Sequence, residues 1–267
     1  MSPSPLFSVS PWLLVAGALV GFIGVAVLVR LVGERVVTED RRPALLSVVG
    51  PLTPALAALF AVMTAFTVVT EAGYLRSAQT AATNEASAAS RLAWASTNAG
   101  VDTDAVQRAL AGYVRVTIGS EWTETYEHQP TAPPMVRALR RLEAATRTEA
   151  LRPGVPSAVA SELLAALDGV TVARRDRISE ASRSIPMGYL LVLVVAGLAL
   201  VVNVALLTLA GRRRGLLLVG GIVTVVALVL ALLVAISAPF AGALVVDHAG
   251  LDRVLIDLGN GLFTPLR

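Results

Sequence analysis

Residues 187–238 read MGYLLVLVVAGLALVVNVALLTLAGRRRGLLLVGGIVTVVALVLALLVAISA, two apolar runs separated by Arg212, Arg213 and Arg214. Each run exceeds 20 residues. A helix that rises about 1.5 Å per residue needs about 20 residues to cross a hydrocarbon core of about 30 Å. This stretch therefore predicts two membrane-spanning helices joined by a short basic turn.

The N-terminal part of the chain contains a second pair of apolar runs, Trp12–Val32 and Ala44–Thr70. The pattern predicts an all-α membrane protein with four transmembrane helices, two on each side of a polar insert. The predicted domains are residues 1–70 (spans one and two), 71–185 (soluble helical bundle), 186–238 (spans three and four) and 239–267 (a tail with a short amphipathic helix). Asp247 is the predicted cap of that last helix.

Composition excludes several classes of protein. The 267 residues have a net charge of only +3. All 22 basic residues are arginine and alternate with acids, so no basic stripe forms and a nucleic-acid partner is not expected. Cysteine is absent, which excludes disulfides and thiolate metal sites.

The arginines of the two short loops predict the orientation in the membrane. Arg30, Arg35, Arg41 and Arg42 follow the first span, and the triplet 212–214 joins the last two. Cytoplasmic loops carry an excess of Lys and Arg. Both loops are therefore expected in the cytoplasm of a bacterial, multi-pass plasma-membrane protein. The insert is then expected on the extracytoplasmic side.

The insert is predicted to form an antiparallel bundle of four amphipathic helices, the first of which continues the second span into water. The helices are expected at residues 71–98, from Asp102 or Thr103 to about Glu127, at 135–151, and from Ser157 onward. The predicted core comprises Ala78, Ala82, Ala86, Ala89, Ala93, Val106, Leu110, Val114, Ile118, Val159, Leu163, Leu167, Val170 and Ile178.

The inventory of catalytic residues predicts no enzyme, no cofactor and no metal site. The chain has two histidines and no nucleophile, phosphate-binding or zinc motif. Glu124 with His128, and His248 with Asp252, are four residues apart and could meet on a helix face. Neither pair makes a metal site alone.

The second span carries the strongest candidate for a functional site within the membrane. Phe60, Thr64, Thr67 and Glu71 lie at offsets 0, 4, 7 and 11 and share one helix face. Such a stripe can line a pore in which hydroxyls replace hydration water and an apolar ring gates by dewetting. Threonine in a membrane helix also bonds back to its own backbone. Both interpretations stay open.

Two further patterns predict helix packing within the membrane. Gly17, Gly21 and Gly24 share a face of the first span and would permit close approach of a neighbour. Asn203, in the third span, is expected to form a hydrogen bond to another helix.

Several short motifs, in order, resemble the bestrophin-like bacterial membrane proteins. They are Glu71, Glu85 and Arg91; Leu110 and Tyr113 ahead of Glu121-Trp122; Arg174-Arg175 with Arg177 before Ile185-Pro186; and Pro239-Phe240 with Gly242 after the last span. The resemblance covers most of the chain. It implies a remote likeness to bestrophins, which are pentameric anion channels lined by their second span.

What the resemblance implies about function leaves two hypotheses from different classes. The first is a homo-oligomeric channel, a pentamer by resemblance, that passes small inorganic anions such as chloride. The second is a non-conducting scaffold or sensor whose bundle binds an extracytoplasmic partner or ligand. The calcium-binding acidic motifs of bestrophins have no counterpart here. Bestrophins also keep their insert in the cytosol, whereas the arginine loops of this chain predict the opposite side.

Overall fold

The computed structural model describes residues 11–122, 133–181, 187–210, 214–236 and 246–265. This part of the chain is all-helical and contains no strand. The α-helices are α1 (Pro11–Val36), α2 (Arg42–Ala95), α3 (Thr103–Glu121), α4 (Pro133–Ala150), α5 (Ser157–Ala181), α6 (Met187–Leu207), α7 (Arg214–Ile236) and α8 (Ala249–Gly259). Short 3-10 helices lie at Glu39–Arg41 and Thr208–Ala210.

The chain divides into two compact units. The apolar unit comprises Ser2–Gly73 and Ser184–Ser237, and the bundle unit comprises Tyr74–Arg183 and Ala238–Arg267. The single helix α2 contributes residues to both units.

The apolar unit contains the helices of membrane-spanning length. Within the described residues, the candidate spans are Ala16–Val36, a window inside Glu39–Ala95, and Gly188–Leu207. The apolar helical stretch of α7, Leu217–Leu233, is shorter than these three candidate spans. The fourth span therefore stays a prediction. These helices share a core that includes Phe22, Phe60, Leu193, Val226 and Leu233.

Close helix approach in the apolar unit occurs at glycines other than the predicted ones. A Cβ atom at Gly197 of α6 would lie 2.9 Å from Val226 Cγ1 and 3.2 Å from Phe60 Cε2. At Gly17, Gly21 and Gly24 no atom lies within 4 Å of such a Cβ. Within the described residues of the single chain these three glycines therefore have no close neighbour, and close approach of another chain at them stays a prediction. Their spacing places them on one face, but helix packing covers a different face of α1.

The main hydrophobic core of the bundle unit has residues from α2, α3, α4, α5 and α8. Ala78 and Ala82 of α2 belong to a smaller cluster with Val246. Ala89 and Leu92 of α2 and Val106, Leu110 and Val114 of α3 are fully buried. The five predicted alanines of α2, Ala78 to Ala93, are at most 6% exposed. Small side chains at this interface allow α2 to pack closely against its neighbours.

The helix starts were predicted better than the helix ends. The Asp102 side chain accepts a hydrogen bond from Ala105 N at 3.0 Å and caps α3. Ser157, the predicted cap of the fourth helix, is instead the first residue of α5. α2 ends at Ala95, before the predicted end at Asn98. α3 ends at Glu121. Most of the predicted extension to Glu127 lies outside the described residues, and Glu124 and His128 also lie outside them.

The C-terminal tail docks on the bundle unit. Leu251 and Val254 of α8 and Phe263 beyond it are at most 3% exposed, and Gln107 Nε2 donates a 2.7 Å hydrogen bond to Phe263 O. His248, not Asp247, is the N-cap residue of α8. The Asp247 carboxylate, one residue earlier, accepts from Ala249 N at 2.8 Å.

Candidate functional site

The predicted stripe of the second span lies on the face of α2 that packs within the apolar unit. Phe60 is 5%, Thr67 4% and Glu71 3% exposed, and Thr64 is partly buried. The Phe60 ring lies against Gly197 of α6. Most of the stripe is therefore buried within the single chain, and Phe60 contacts α6.

The threonines of this helix mostly bond back to their own backbone. Thr67 Oγ1 donates to Met63 O at 2.8 Å, and Thr70 Oγ1 donates to Phe66 O at 2.9 Å. Thr64 differs, because its buried Oγ1 has no hydrogen-bond partner in the described residues. The back-bonding interpretation is confirmed for Thr67, and the role of the whole stripe in a pore stays a prediction.

A second polar contact joins α2 and α6 within the apolar core. Asn203 Nδ2 donates to Thr53 Oγ1 at 2.8 Å and to Val49 O at 3.2 Å. Asn203 is 6% exposed, so its amide is satisfied by protein instead of water. This confirms the predicted cross-helix hydrogen bond.

The opposite face of α2 is exposed in the single chain and was not predicted as a site. Leu59 is 50%, Val62 66%, Phe66 59% and Val69 72% exposed. These residues recur at spacings of three and four, so they form one continuous apolar ridge. The Phe66 ring has one aromatic neighbour, Tyr189, with ring centroids 6.3 Å apart.

A buried network of four charges lies in the bundle unit. Arg177 donates from Nε to Glu85 and from Nη2 to Glu121, and Arg174 Nη1 donates to Glu121 Oε1 at 2.7 Å. Tyr113 Oη donates to the other oxygen of Glu85. The four charged side chains are at most 6% exposed. Within the described residues, the two carboxylates and two guanidiniums balance, so these four side chains carry no net charge.

Burial and charge together determine the protonation of this network. Desolvation raises the pKa of Tyr113 well above its ordinary value, and the charge of Glu85 and the hydrogen bond to it raise that pKa further. Desolvation alone would lower the pKa of Arg177, but Glu85 and Glu121 outweigh it and raise the pKa above the usual range. Arg177 is therefore a permanent cation and Tyr113 a neutral hydrogen-bond donor.

Trp122, directly after α3, joins this network to the tail. The Arg177 guanidinium carbon lies 4.8 Å from the centroid of the Trp122 ring. The indole Nε1 donates a 2.8 Å hydrogen bond to Val246 O. His248 meets the ring edge to face at 5.9 Å, and its Nδ1 lies 2.6 Å from Asp252 Oδ2, as the four-residue spacing predicted.

The residues of the motif series thus separate into three groups. Glu85, Tyr113, Glu121, Trp122 and Arg177 come together, and they are joined by Arg174, which the sequence marked only as part of an arginine run. Arg91 and Arg175 are exposed. Pro186, Pro239, Phe240 and Gly242 lie outside the described residues.

An open groove of about 500 Å³ lies on the bundle unit, between α2 and α5. Arg76, Thr80 and Asn84 line it from α2, and Asp176 and Glu180 line it from α5. The lining is polar, and nothing in the sequence pattern predicted it. No group of three or more metal-ligating side chains occurs in the described residues.

Helices of spanning length, an apolar core and an all-helical architecture define an integral membrane protein. The family model described as the Bestrophin-like domain matches residues 20–251. The chain belongs to the bestrophin-like family, as its motif series predicted. Comparisons with curated proteins and with solved structures found no match.

Proposed function

We propose that this protein is a homo-oligomeric channel for small inorganic anions such as chloride, with α2 lining the pathway. Family kinship to anion channels supports the class of function. The observation that carries the choice of helix is the small contact that α2 makes within its own chain. Of its most apolar window 11% is buried, against 17% for the Ala16–Val36 span and 44% for the Gly188–Leu207 span. α2 therefore has a face available to other copies of the chain.

The exposed ridge of α2 suits a pathway shared between copies. Leu59, Val62, Phe66 and Val69 would place apolar rings around a common axis, and such constrictions gate by dewetting. The stripe of Phe60, Thr64, Thr67 and Glu71 is the alternative lining. Because most of it is buried within one chain, it would serve a pathway inside each subunit.

Flux measurements test the function and choose between the two faces. Purified protein in liposomes is expected to carry chloride. Phe66→Ala, on the exposed ridge, is expected to raise the flux because it widens and wets the constriction. The matched pair Thr64→Val and Thr67→Val, on the covered face, is expected to leave selectivity unchanged. A change of selectivity in the threonine variants alone would move the pathway into the subunit.

The oligomeric state provides a second, independent test. Detergent-solubilised protein is expected to be an oligomer with α2 nearest the symmetry axis. A monomer without any pathway, or reconstituted protein that passes no chloride, would show that the channel proposal is wrong.

The rival proposal is a non-conducting sensor or scaffold, which the polar groove between α2 and α5 supports. On this proposal the neutral charge network keeps the bundle in one arrangement while the groove receives a partner. It predicts no chloride flux from correctly assembled protein. The same liposome measurement therefore separates the two functions. An enzyme is not proposed, because the sequence contains no catalytic constellation.

We further propose the four-span arrangement, with α7 as the fourth span, in a bacterial plasma membrane. The insert 71–185 and the tail 239–267 would lie on the extracytoplasmic side. The arginine loops support this orientation.

A further inference from the structure

The bundle-unit part of α2 also has one exposed face, and its chemistry differs from that of the apolar ridge. Six exposed positions recur at spacings of three and four: Arg76, Thr80, Thr83, Ser87, Arg91 and Trp94. The buried positions of the same helix, such as Ala78, Ala82 and Ala89, lie on the other side. The exposed face is therefore a continuous strip along the helix.

The strip is positively charged. Arg76 and Arg91 belong to it, and neither forms an ion pair within the part of the chain that the structure describes. Glu85 is the one acidic residue of α2 between residues 76 and 95. Its carboxylate faces inward, where Tyr113 and Arg177 bind it. Asp176 and Glu180 of α5 line the groove together with Arg76.

The hydroxyls between the two arginines are already engaged. Thr80 Oγ1 donates to Arg76 O at 2.9 Å, Thr83 Oγ1 to Gln79 O at 2.9 Å, and Ser87 Oγ to Thr83 O at 3.0 Å. They therefore do not offer a fixed set of donors that would hold an anion tightly. A conducting path needs positive charge that attracts anions, and it also needs the absence of donors that hold them tightly, because ions must enter and must also leave.

We propose that this strip is the wall on which the channel collects anions, with Arg76 and Arg91 as its selectivity-determining residues. The inference rests on the proposed channel function and on a pathway shared between copies of α2. In an oligomer, each arginine is repeated once per subunit and forms a ring of positive charge. Such a ring raises the local concentration of anions and lowers that of cations. Glu71 does not oppose it, because that carboxylate is 3% exposed and lies on the covered face of α2.

The effect must depend on salt, because both guanidiniums are exposed. The Debye length is about 30 Å at about 0.01 M salt and about 3 Å at about 1 M. Arg76 and Arg91 should therefore act strongly at low ionic strength and weakly at high ionic strength.

The test compares single-channel currents of the full-length protein, with chloride as the permeating anion. Arg76→Glu with Arg91→Glu is expected to reduce the chloride conductance about tenfold at low salt, and by much less at about 1 M salt. The reversal potential should shift towards cation permeability. Arg76→Lys with Arg91→Lys keeps the charge and should conduct like the wild type.

Arg140→Glu with Arg141→Glu is the matched control, because both residues are exposed on α4 and the change in net charge is the same. This control should leave the conductance and the reversal potential unchanged. If the wild type conducts chloride and the variant at positions 76 and 91 matches it at low salt, the inference is wrong and the channel proposal stands. If the wild type does not conduct, both are overturned.

Discussion

Arg177 is the residue on which the charged network of the bundle unit depends, because its guanidinium binds both buried carboxylates. Removing one member of a buried ion pair leaves an uncompensated charge, which costs about 3–5 kcal/mol. We expect Arg177→Met to destabilise the bundle unit by that amount. Thermal unfolding in detergent measures it.

Arg175→Met is the control for this prediction, since Arg175 lies two residues away on the same helix and is exposed. Exposed substitutions of this kind change stability by about 0.5 kcal/mol or less. Equal losses in the two variants would show that the network does not stabilise the unit.

The raised pKa of Tyr113 predicts that the stability of the bundle unit depends on pH. Because the pKa of Tyr113 is raised in the folded protein, the unfolded chain loses this proton first, at about pH 10. The stabilisation from Tyr113 is therefore complete below about pH 10 and is lost as pH rises towards the folded-state pKa. Tyr113→Phe lacks the titrating group. The stability difference between wild type and Tyr113→Phe should shrink above about pH 10, and a constant difference would contradict the assignment.

At the scale of a single element, α8 holds the tail on the bundle unit through a few side chains. Leu251 is 1% exposed, whereas Ile256 of the same helix is 52% exposed. Leu251→Ala should cost about 2–5 kcal/mol of docking energy. We expect faster amide hydrogen exchange across α8 in this variant. Ile256→Ala should exchange like the wild type, and a similar rise in both variants would contradict docking through the Leu251 face.

The elements also show which local signals a sequence carries. A capping aspartate marked the start of α3, because its side chain acts within one turn of the backbone. A serine after a proline lies at the start of α5. The glycine after α2, Gly100, has a φ of 85° but lies five residues beyond the observed end of the helix at Ala95. Ser96 Oγ donates to Ala93 O, and residues 96–98, Ser-Thr-Asn, are weaker helix formers than alanine.

At the scale of the whole molecule, the orientation in the membrane can be measured directly, because the chain has no cysteine. Ser157 is exposed at the start of α5. Ser157→Cys in intact cells should react with a membrane-impermeant thiol reagent. Thr38→Cys, in the arginine-rich loop after α1, should react only after lysis. The reverse pattern would place the insert in the cytosol.

The sequence by itself determined the class of protein: a helical membrane protein of the bestrophin-like family, with apolar runs long enough to span and a helical polar insert. These properties are local, because hydropathy, periodicity and caps depend on neighbouring residues. The motif series also named most members of the charge network, without indicating that they meet. Tertiary structure decided that Glu85, Glu121, Arg174 and Arg177 neutralise one another, and that Phe60 of the predicted stripe packs against Gly197 of α6. Both depend on which helices lie side by side, and a helix sequence specifies its faces but not the neighbour that covers each one.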